Sequence, residues 1–526
     1  MGKIAFCKMI PKPLFIKNRV GNFDIISVCR IVISAEIVRP VAVLLRKYLS
    51  LATGYEFPIA VSNNPKATDI YLNLLDYNYV NIKDEALFSD ESYELVAGNR
   101  GLKLSAVTPS GLVRGIQALR QLLPFGIFLN TVQSAENWII EGCRIKDKPR
   151  FKWRGMHLDI SRHFFPVEDV CRFIDLIALH RFNILHLHLT DDQGWRVEIK
   201  RYPKLTEIGS RRKSTLIGHE RGRPRQYNNI SYRGHYSQDD VRKIVAYAAE
   251  RFITVVPEID MPGHMQAAIS AYPELGCTDM TISPRCHWGV SQHILNAGES
   301  TVKFMQNVLD EIMDMFPSKF IHVGGDEAAK YQWEESPTIQ KRMEDVGAKN
   351  EGELQSWFIS QMDKYLTSKG RRLIGWDEIL EGGLAEGAAV MSWRGEGGGV
   401  KAADLQHDVV MTPGEYVYFD HYQAEPTTNE PLAIGGMNTL EKVYSYEPIP
   451  KKMEEDKKKY ILGAQGQLWT EYISTRDHLD YMAFPRVCAL AEVLWLNADQ
   501  KNYRNFIERL TYHRKRLKAL GVNAHL

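Results

Sequence analysis

Cysteine is scarce in this 526-residue chain: there are seven, and no two stand in a Cys-x-x-Cys spacing. The absence of that spacing rules out zinc-ribbon and thioredoxin-type sites. Seven cysteines in a chain of this length also do not form a disulfide scaffold. Cys277 and Cys286 are near enough in sequence to close one loop in an oxidising compartment, and two free thiols are the equal alternative. Cysteine chemistry therefore does not indicate the function.

A long uninterrupted apolar run is missing too. The most apolar stretch, residues 24–45, carries Asp24, Arg30, Glu36 and Arg39 and predicts no membrane span. Lysines within the first 17 residues break any signal-peptide-like core. The sequence as given predicts a cytoplasmic protein. A leader removed from it would indicate a periplasmic or secreted protein instead.

Charge of one sign is not in excess. Lys and Arg total 66 against 64 Asp and Glu, a net charge of +2, so no global field favours nucleic acid as a partner. Hydrophobic residues make up 44% and charged residues 25%, as in ordinary globular proteins. At roughly 150 residues per domain the length predicts two to four domains, or two if one is an α/β barrel.

Residues 1–146 predict a small α/β domain. The apolar patterns indicate helices at 36–51 and 109–123, the second opened by Pro109. A polar run, Lys146–Arg150, predicts a linker to the remainder of the chain. Strands are predicted at 25–28, 57–61, 69–74, 93–97 and 102–106.

Residues 147–526 predict a (β/α)₈ barrel, because short apolar runs alternate there with helical patterns. One of the helices opens with Ser237 and Asp240, close to a capping box. Eight strands are predicted, at 154–160, 182–189, 253–259, 320–323, 372–376, 389–393, 409–411 and 461–468.

Polar and aromatic side chains follow nearly every predicted barrel strand. In such a barrel the active site lies where the strands end, so these groups are expected at one mouth. Trp376, Trp393 and Trp469 each close a strand, which favours an aromatic-walled pocket for a sugar ring. In chain order the remaining groups are Arg162, Asp191, His264, Asp326, Glu327, Tyr418, Asp420 and Glu471.

The pair Asp326-Glu327 is the sharpest feature. It follows Gly324-Gly325, whose backbone freedom allows both carboxylates to turn toward the mouth. Two carboxylates held together raise one another's pKa, which would keep one protonated near neutral pH as a general acid requires.

The segment HVGGDE, residues 322–327, resembles the H-x-G-G-D-E signature of the family-20 β-N-acetylhexosaminidases. Further segments resemble that family's barrel motifs in the same order: RGMHLDISRHFFP, PEIDMPGH, GWDE, SWRG, YFD and GQLWTE. The resemblance covers roughly residues 100–500, and the N-terminal unit resembles the family's non-catalytic domain. One departure is that residues 421–468 contain no Trp, with Tyr444 and Tyr446 as the large aromatic residues there.

The resemblance implies an exo-acting glycosidase in which the substrate's own acetamido oxygen is the nucleophile, with retention of configuration. It implies that Glu327 is the acid and base, Asp326 orients the acetamido N–H, and Tyr418 donates to the acetamido oxygen. It assigns Arg162 and Glu471 to the O3/O4 edge of the sugar and Asp420 to the O4/O6 edge. Trp376 and Trp393 would line the acetamido pocket, Trp469 would stack under the ring, and Asp191 and His264 would fix the acid.

The predicted partner is a glycan with terminal β-GlcNAc or β-GalNAc, and the protein would be a monomer or homodimer. No cofactor and no metal is predicted. Three alternatives stay open. His186 and His188 form an H-x-H that would suit a metal-dependent amidohydrolase. A retaining glycosidase could use Glu378 or Glu471 as a separate nucleophile. A non-catalytic glycan-binding barrel would have the tryptophan walls of the pocket but not the catalytic acid.

Overall fold

The computed structural model describes residues 8–75 and 90–525. They form a seven-stranded mixed sheet followed by a closed eight-stranded parallel barrel. The fold class predicted from the sequence is confirmed. No helix of the described residues is both long enough and apolar enough to cross a bilayer.

The N-terminal sheet joins antiparallel and parallel strands. Along the sheet the order is Phe15–Asp24, Ile139–Asp147, Tyr93–Gly98, Gly101–Ala106, Ile70–Leu74, Ile31–Ile33 and Ile59–Val61. The first three pairings are antiparallel and the last three are parallel. Helices Arg39–Thr53 and Pro109–Leu122 accompany the sheet. Thr108 caps the second helix by accepting from the Gly111 amide at 3.1 Å.

Two predictions for this unit are wrong. Ile25–Val28 is not a strand, because a turn closes there through the Cys29 amide and the Ile26 carbonyl, 3.0 Å apart. The polar run 146–150 is not wholly a linker, since Asp147 ends the strand that begins at Ile139. The sequence pattern did not predict a strand here because Asp147 is charged. In the structure the charge of Asp147 is paired inside the protein: Arg181 Nη1 lies 2.8 Å from Asp147 Oδ2.

The barrel strands are buried on both faces, as expected for a parallel sheet covered by helices. In chain order they are Trp153–Asp159, Ile184–His188, Thr254–Glu258, Phe320–His322, Arg372–Trp376, Ala389–Ser392, Val409–Met411 and Ile461–Gly466. All eight predicted strands are present, each within two residues of its predicted bounds.

Helices surround the barrel unevenly. The capping box predicted at Ser237 and Asp240 is present, with both reciprocal hydrogen bonds. Residues 377–388, all of which are described, contain a single 3-10 turn, Asp377–Leu380, in place of a helix between the fifth and sixth strands. The α-helices of this unit are Val167–Leu179, Lys204–Glu207, Gln238–Ala249, Gln266–Ala271, Glu299–Met315, Tyr331–Glu335, Pro337–Val346, Glu351–Ser368, Gly397–Asp404, Gly414–Val417, Leu440–Ser445, Arg476–Ala483, Arg486–Trp495 and Tyr503–Ala519.

Buried ion pairs fasten the sheet to the barrel. Glu91 accepts from Arg114 Nε at 2.7 Å and also from Arg154 of the first barrel strand. Asp147 accepts from the Trp495 indole at 2.8 Å. Because buried charges are costly unless paired, these contacts fix how the two units sit together. Cys277 and Cys286 are separate thiols, so the loop between them is not closed by a disulfide.

Candidate active site

The carboxyl ends of the barrel strands bring the sequence-predicted residues to one mouth. Arg162 Nη2 lies 2.8 Å from Asp191 Oδ2, and its guanidinium carbon lies 5.1 Å from the centre of the Trp469 ring. Asp191 Oδ1 in turn lies 3.2 Å from His264 Nδ1. These contacts join groups that follow the first, second, third and eighth strands.

Backbone geometry aims the acidic pair. Gly324 and Gly325 have φ of +66° and +94°, and Glu327 itself has φ of +45°. A Cβ on Gly324 would lie 1.6 Å from Asp260 Oδ1, so only glycine fits at that position. The turn carries Asp326 and Glu327 out of the fourth strand, and both reach the same imidazole: His264 Nε2 lies 3.6 Å from Asp326 Oδ2 and 3.4 Å from Glu327 Oε2.

The two carboxylates have opposite pKa shifts. Burial raises the pKa of Asp326 to about 6, and the charges of Glu327 and Glu258 add to this effect. Burial also acts to raise the pKa of Glu327, but the His264 imidazolium outweighs it and the net shift is downward. The Glu327 side chain is 40% exposed against 12% for Asp326, which explains why burial dominates only for the aspartate.

Repulsion within the pair helps to raise the pKa of one carboxyl, as expected, but not that of the expected acid. The carboxyl with the raised pKa is Asp326, whereas Glu327 was expected to hold the proton. The physical reason is His264, whose positive charge a sequence pattern does not place. Burial disfavours that imidazolium, yet Asp191, Asp192 and Glu327 raise the pKa of His264 well above its usual value.

A second imidazolium lies deeper in the barrel. His188 Nδ1 lies 2.6 Å from Glu258 Oε2, and His188 Nε2 lies 2.8 Å from Asp191 Oδ2. Since each ring nitrogen faces a carboxylate, both carry a proton, and these carboxylates outweigh burial and raise the pKa of His188 well above its usual value. A ladder of alternating charge thus runs from Glu258 through His188, Asp191 and His264 to Glu327.

Glu258 had no assigned role in the sequence prediction. Besides His188 it accepts from the Trp376 indole at 2.9 Å and lies 3.1 Å from both His186 Nε2 and His322 Nδ1. It therefore links the charge ladder to the wall of the pocket. Its place at the end of the third strand, within PEIDMPGH, was the available signal, but its partners come from three other strands.

The metal alternative does not fit the hydrogen bonds of the H-x-H pair. Both nitrogens of His188 are protonated, as shown above. His186 Nδ1 accepts from the Gln465 amide at 3.0 Å, and the Gln465 oxygen accepts from Trp153, which fixes the orientation of that amide. His186 Nε2 therefore carries the proton and faces Glu258. Although His157, His186 and Glu258 lie close enough to share an ion, no lone pair of His186 is left for it.

Indole and phenol rings form the pocket beside Asp326. The Trp393 and Tyr418 rings are nearly parallel, 6.2 Å apart, while Trp376 and Trp469 are 5.8 Å apart and tilted. The Tyr418 ring centre lies 6.5 Å from that of Trp469, so the two ring pairs are neighbours. Burial raises the pKa of Tyr418 well above 10, so its hydroxyl stays a donor. These rings form one cluster that combines flat apolar faces with one hydroxyl.

Asp420 and Glu471 follow the seventh and eighth barrel strands. Burial and the charge of Glu471 raise the pKa of Asp420 well above its usual range. Burial also raises the pKa of Glu471, against the attraction of Arg162. Tyr444 and Tyr446 do not reach the site: both are buried, stacked on Phe506 and Tyr416 respectively.

An acid pair, charged side chains and a cluster of indole rings at the mouth of a parallel barrel define a carbohydrate-active barrel hydrolase. Comparison with known proteins makes this specific. The catalytic domain of glycosyl hydrolase family 20 matches residues 151–498, and domain 2 of the same family matches residues 7–148. The chain therefore belongs to glycosyl hydrolase family 20.

Individual relatives agree with that assignment. A beta-hexosaminidase of Porphyromonas gingivalis is 43% identical over 98% of this chain, which spans 64% of that protein's length. The family-20 beta-N-acetylhexosaminidase of Streptomyces coelicolor A3(2) superposes with a TM-score of 0.84 at 30% identity, over 99% of this chain and 98% of the other. An exo beta-N-acetylglucosaminidase of Vibrio harveyi, solved with N-acetylglucosamine, gives a TM-score of 0.82 at 30% identity, over 100% of this chain and 79% of the other.

Proposed function

We propose that this protein is an exo-acting β-N-acetylhexosaminidase that removes terminal, non-reducing β-linked GlcNAc or GalNAc from glycans. The proposal extends to a retaining, substrate-assisted mechanism with the acetamido oxygen as nucleophile. It also assigns catalysis to residues 147–526, which contain every site residue, and a non-catalytic role to residues 1–146.

The observation that carries the proposal is the shared contact of Asp326 and Glu327 with one imidazole. Two catalytic carboxylates of a conventional glycosidase flank the sugar from opposite sides, about 5–9 Å apart. Asp326 and Glu327 are adjacent residues at one strand end, and the proposal places both on the same side of the anomeric carbon. A nucleophile is then needed from elsewhere, and the acetamido group of the substrate supplies one.

The separate-nucleophile alternative is less well supported. Burial and the nearby Asp326 raise the pKa of Glu378 to about 8, and its Oε2 accepts from the Trp393 indole at 2.9 Å. A carboxyl that is neutral at pH 7 is a poor nucleophile. Burial raises the pKa of Glu471 as well, against the attraction of Arg162.

In the proposed reaction the acetamido oxygen attacks the anomeric carbon while Glu327 protonates the departing glycosidic oxygen. Asp326 accepts the acetamido N–H and offsets the positive charge that develops on the oxazolinium-type intermediate. Tyr418 donates to the acetamido oxygen. Water then opens the intermediate with Glu327 as base, and two inversions at the same carbon retain configuration.

The proposed binding contacts are those that membership of the family implies for these residues. Trp469 supports the sugar face, with Arg162 stacked at its edge to meet O3 and O4 together with Glu471. Asp420 is assigned to O4 and O6. Trp376 and Trp393 enclose the acetamido methyl, and the Trp376 indole is held in place by Glu258. Asp191 orients His264, which in turn contacts the acid.

Three aryl glycosides assayed side by side test the proposal: p-nitrophenyl β-GlcNAc, β-GalNAc and β-glucoside. We expect turnover of one or both amino sugars and almost none of the glucoside, which lacks the nucleophile. A thiazoline mimic of the bicyclic intermediate should bind more tightly than substrate. Comparable turnover of β-glucoside and β-GlcNAc would overturn the mechanism in favour of a carboxylate nucleophile.

A further inference from the structure

A separate cavity of about 200 Å³ lies where the N-terminal unit packs on the barrel. Arg251, which lines it, precedes the third barrel strand, so the cavity is at the amino end of the barrel and opposite the candidate active site. Six of its thirteen lining residues are aliphatic: Leu51, Ile127, Leu129, Leu176, Leu179 and Leu520. The others include three cationic side chains and the Tyr48 phenol.

Arg120 is the unusual member of that wall. It is 6% exposed, and its Nη1 donates to Gln117 Oε1 at 2.9 Å. Its Nε has no acceptor, and its guanidinium lies on the Tyr48 ring at 3.8 Å. No carboxylate pairs with it in the part of the chain that the structure describes. Arg486, buried without a carboxylate partner too, directs its N–H groups to backbone carbonyls instead.

Two more donors on the same wall lack acceptors. Arg251 pairs with Asp175 through Nε at 2.6 Å, but its Nη2 is buried without a partner. The buried Tyr48 hydroxyl lies beside the Gln117 amide, and its proton has no acceptor among the described residues. A buried donor without an acceptor destabilises the fold, so three together indicate that an acceptor belongs there.

The charges around the cavity favour an anion. Lys47, Arg120 and Arg251 face it with positive charge, and Asp175 is the one carboxylate of its lining. Asp175 is already engaged by Arg251 and by the Tyr247 hydroxyl at 2.5 Å. Burial lowers the pKa of Arg120, and the like charge of Arg251 adds to that effect.

We propose that this cavity binds a small organic carboxylate, with its head group between Arg120, Arg251 and Tyr48 and its apolar body against the leucines. A guanidinium matches a carboxylate with parallel N–H bonds, and the aliphatic wall matches a short alkyl chain. An inorganic oxyanion would satisfy the donors but leave the apolar wall uncovered. The proposal is independent of the glycosidase activity.

Binding would fasten the two units together, since Tyr48 and Arg120 belong to one and Arg251 to the other. A ligand that binds only the folded chain raises its melting temperature as concentration increases. The first measurement is therefore thermal unfolding of the full chain in hexanoate, with inorganic phosphate at equal ionic strength as the second arm. Isothermal titration calorimetry gives the Kd.

Two variants and one control accompany the titration. Leu51 is 52% exposed at the rim, so Leu51→Trp fills the cavity without disturbing the core. Leu405→Trp is the matched control, 53% exposed and outside the cavity. Tyr48→Phe keeps the ring under Arg120 and removes the hydroxyl.

We expect hexanoate to raise the melting temperature of the wild-type chain and of Leu405→Trp, and not of Leu51→Trp. Tyr48→Phe should weaken the Kd about tenfold, the equivalent of one hydrogen bond to a charged group. An equal shift in Leu51→Trp, or no shift in the wild-type chain at millimolar hexanoate, would overturn the proposal. A phosphate effect as large as that of hexanoate would overturn the organic class of ligand.

Discussion

His264 Nε2 lies 3.4 Å from Glu327 Oε2, and the same nitrogen lies 3.6 Å from Asp326 Oδ2. One imidazolium therefore serves both carboxylates, and it stabilises the ionised form of each. Burial is the larger effect on the pKa of Asp326, and the imidazolium is the larger effect on the pKa of Glu327. When the free pair holds one proton, that proton therefore lies on Asp326. The proposed mechanism needs it on Glu327, which makes the productive form the less populated one.

The pH dependence of kcat/KM follows from that relationship. The pair carries one proton between the lowered pKa of Glu327 and the raised pKa of Asp326, about 6. We expect a bell-shaped plot of kcat/KM against pH. Its acid limb should lie below the usual pKa range of glutamate, and its alkaline limb should lie near pH 6. His264 and Glu378 should not add limbs in this window, because His264 stays charged and Glu378, with a pKa of about 8, stays neutral.

Asp326→Asn provides the control for the pH profile. With the aspartate gone, Glu327 must hold the proton alone, and its own lowered pKa governs the alkaline limb. That limb should move from about 6 to a more acidic pH. A limb that stays in place would show that another group supplies the proton.

Leaving-group dependence separates the roles of the two carboxylates. Glu327→Gln removes the proton donor, so the loss in kcat/KM should be small for an activated aryl glycoside and large for chitobiose, whose leaving group needs protonation. Asp326→Asn weakens acetamido orientation and should lower kcat/KM for both substrates by on the order of 10²-fold or more. If Glu327→Gln loses the same factor on both while Asp326→Asn is nearly silent, the acid is a different residue, and Glu378 or Glu471 is the next candidate.

Glu258→Gln should destabilise the fold by about 3–5 kcal/mol, because it leaves the buried His188 imidazolium without one of its two carboxylates. The effect has a defined pH dependence. A raised folded-state pKa of His188 contributes stability fully present below about 6.5 and lost as pH rises through the folded value. Glu258→Gln lacks much of that contribution at every pH, whereas the wild-type chain loses it as the pH rises. The difference in free energy of unfolding between the wild-type chain and the variant should therefore shrink above pH 6.5.

Urea unfolding of the wild-type chain, Glu258→Gln and Glu335→Gln at several pH values measures this effect. Glu335 is exposed, so its variant should stay within about 0.5 kcal/mol of the wild-type chain. A Glu258→Gln destabilisation that is constant between pH 6 and 9 would contradict the assignment of a charged His188.

Chelation should leave activity intact. The hydrogen bonds of His186 and His188 commit their ring nitrogens to Gln465, Glu258 and Asp191. Activity on p-nitrophenyl β-GlcNAc is measured before and after dialysis against EDTA, then with zinc restored. Loss on chelation and recovery with zinc would revive the metal alternative.

The barrel was predictable because its strands are locally encoded. Parallel strands covered on both faces are continuous apolar runs, and each of the eight runs is visible without knowledge of its neighbours. The N-terminal sheet was harder to predict: Phe15–Asp24 is an edge strand with mostly exposed residues, so it lacks an apolar signal. Ile25–Val28 has that signal and forms a turn instead.

The sequence by itself determined which chemical groups stand at the strand ends and in which order, because a strand's last residues remain there however the strands are arranged. Only the tertiary structure decided how protons and charges are shared among them. Glu258 gains four partners from the second, fourth and fifth strands, and His264 gains two carboxylates from the fourth and two from the second. Burial and Coulomb interactions depend on distances through space, so the pKa order of Asp326 and Glu327 arises only once the barrel closes.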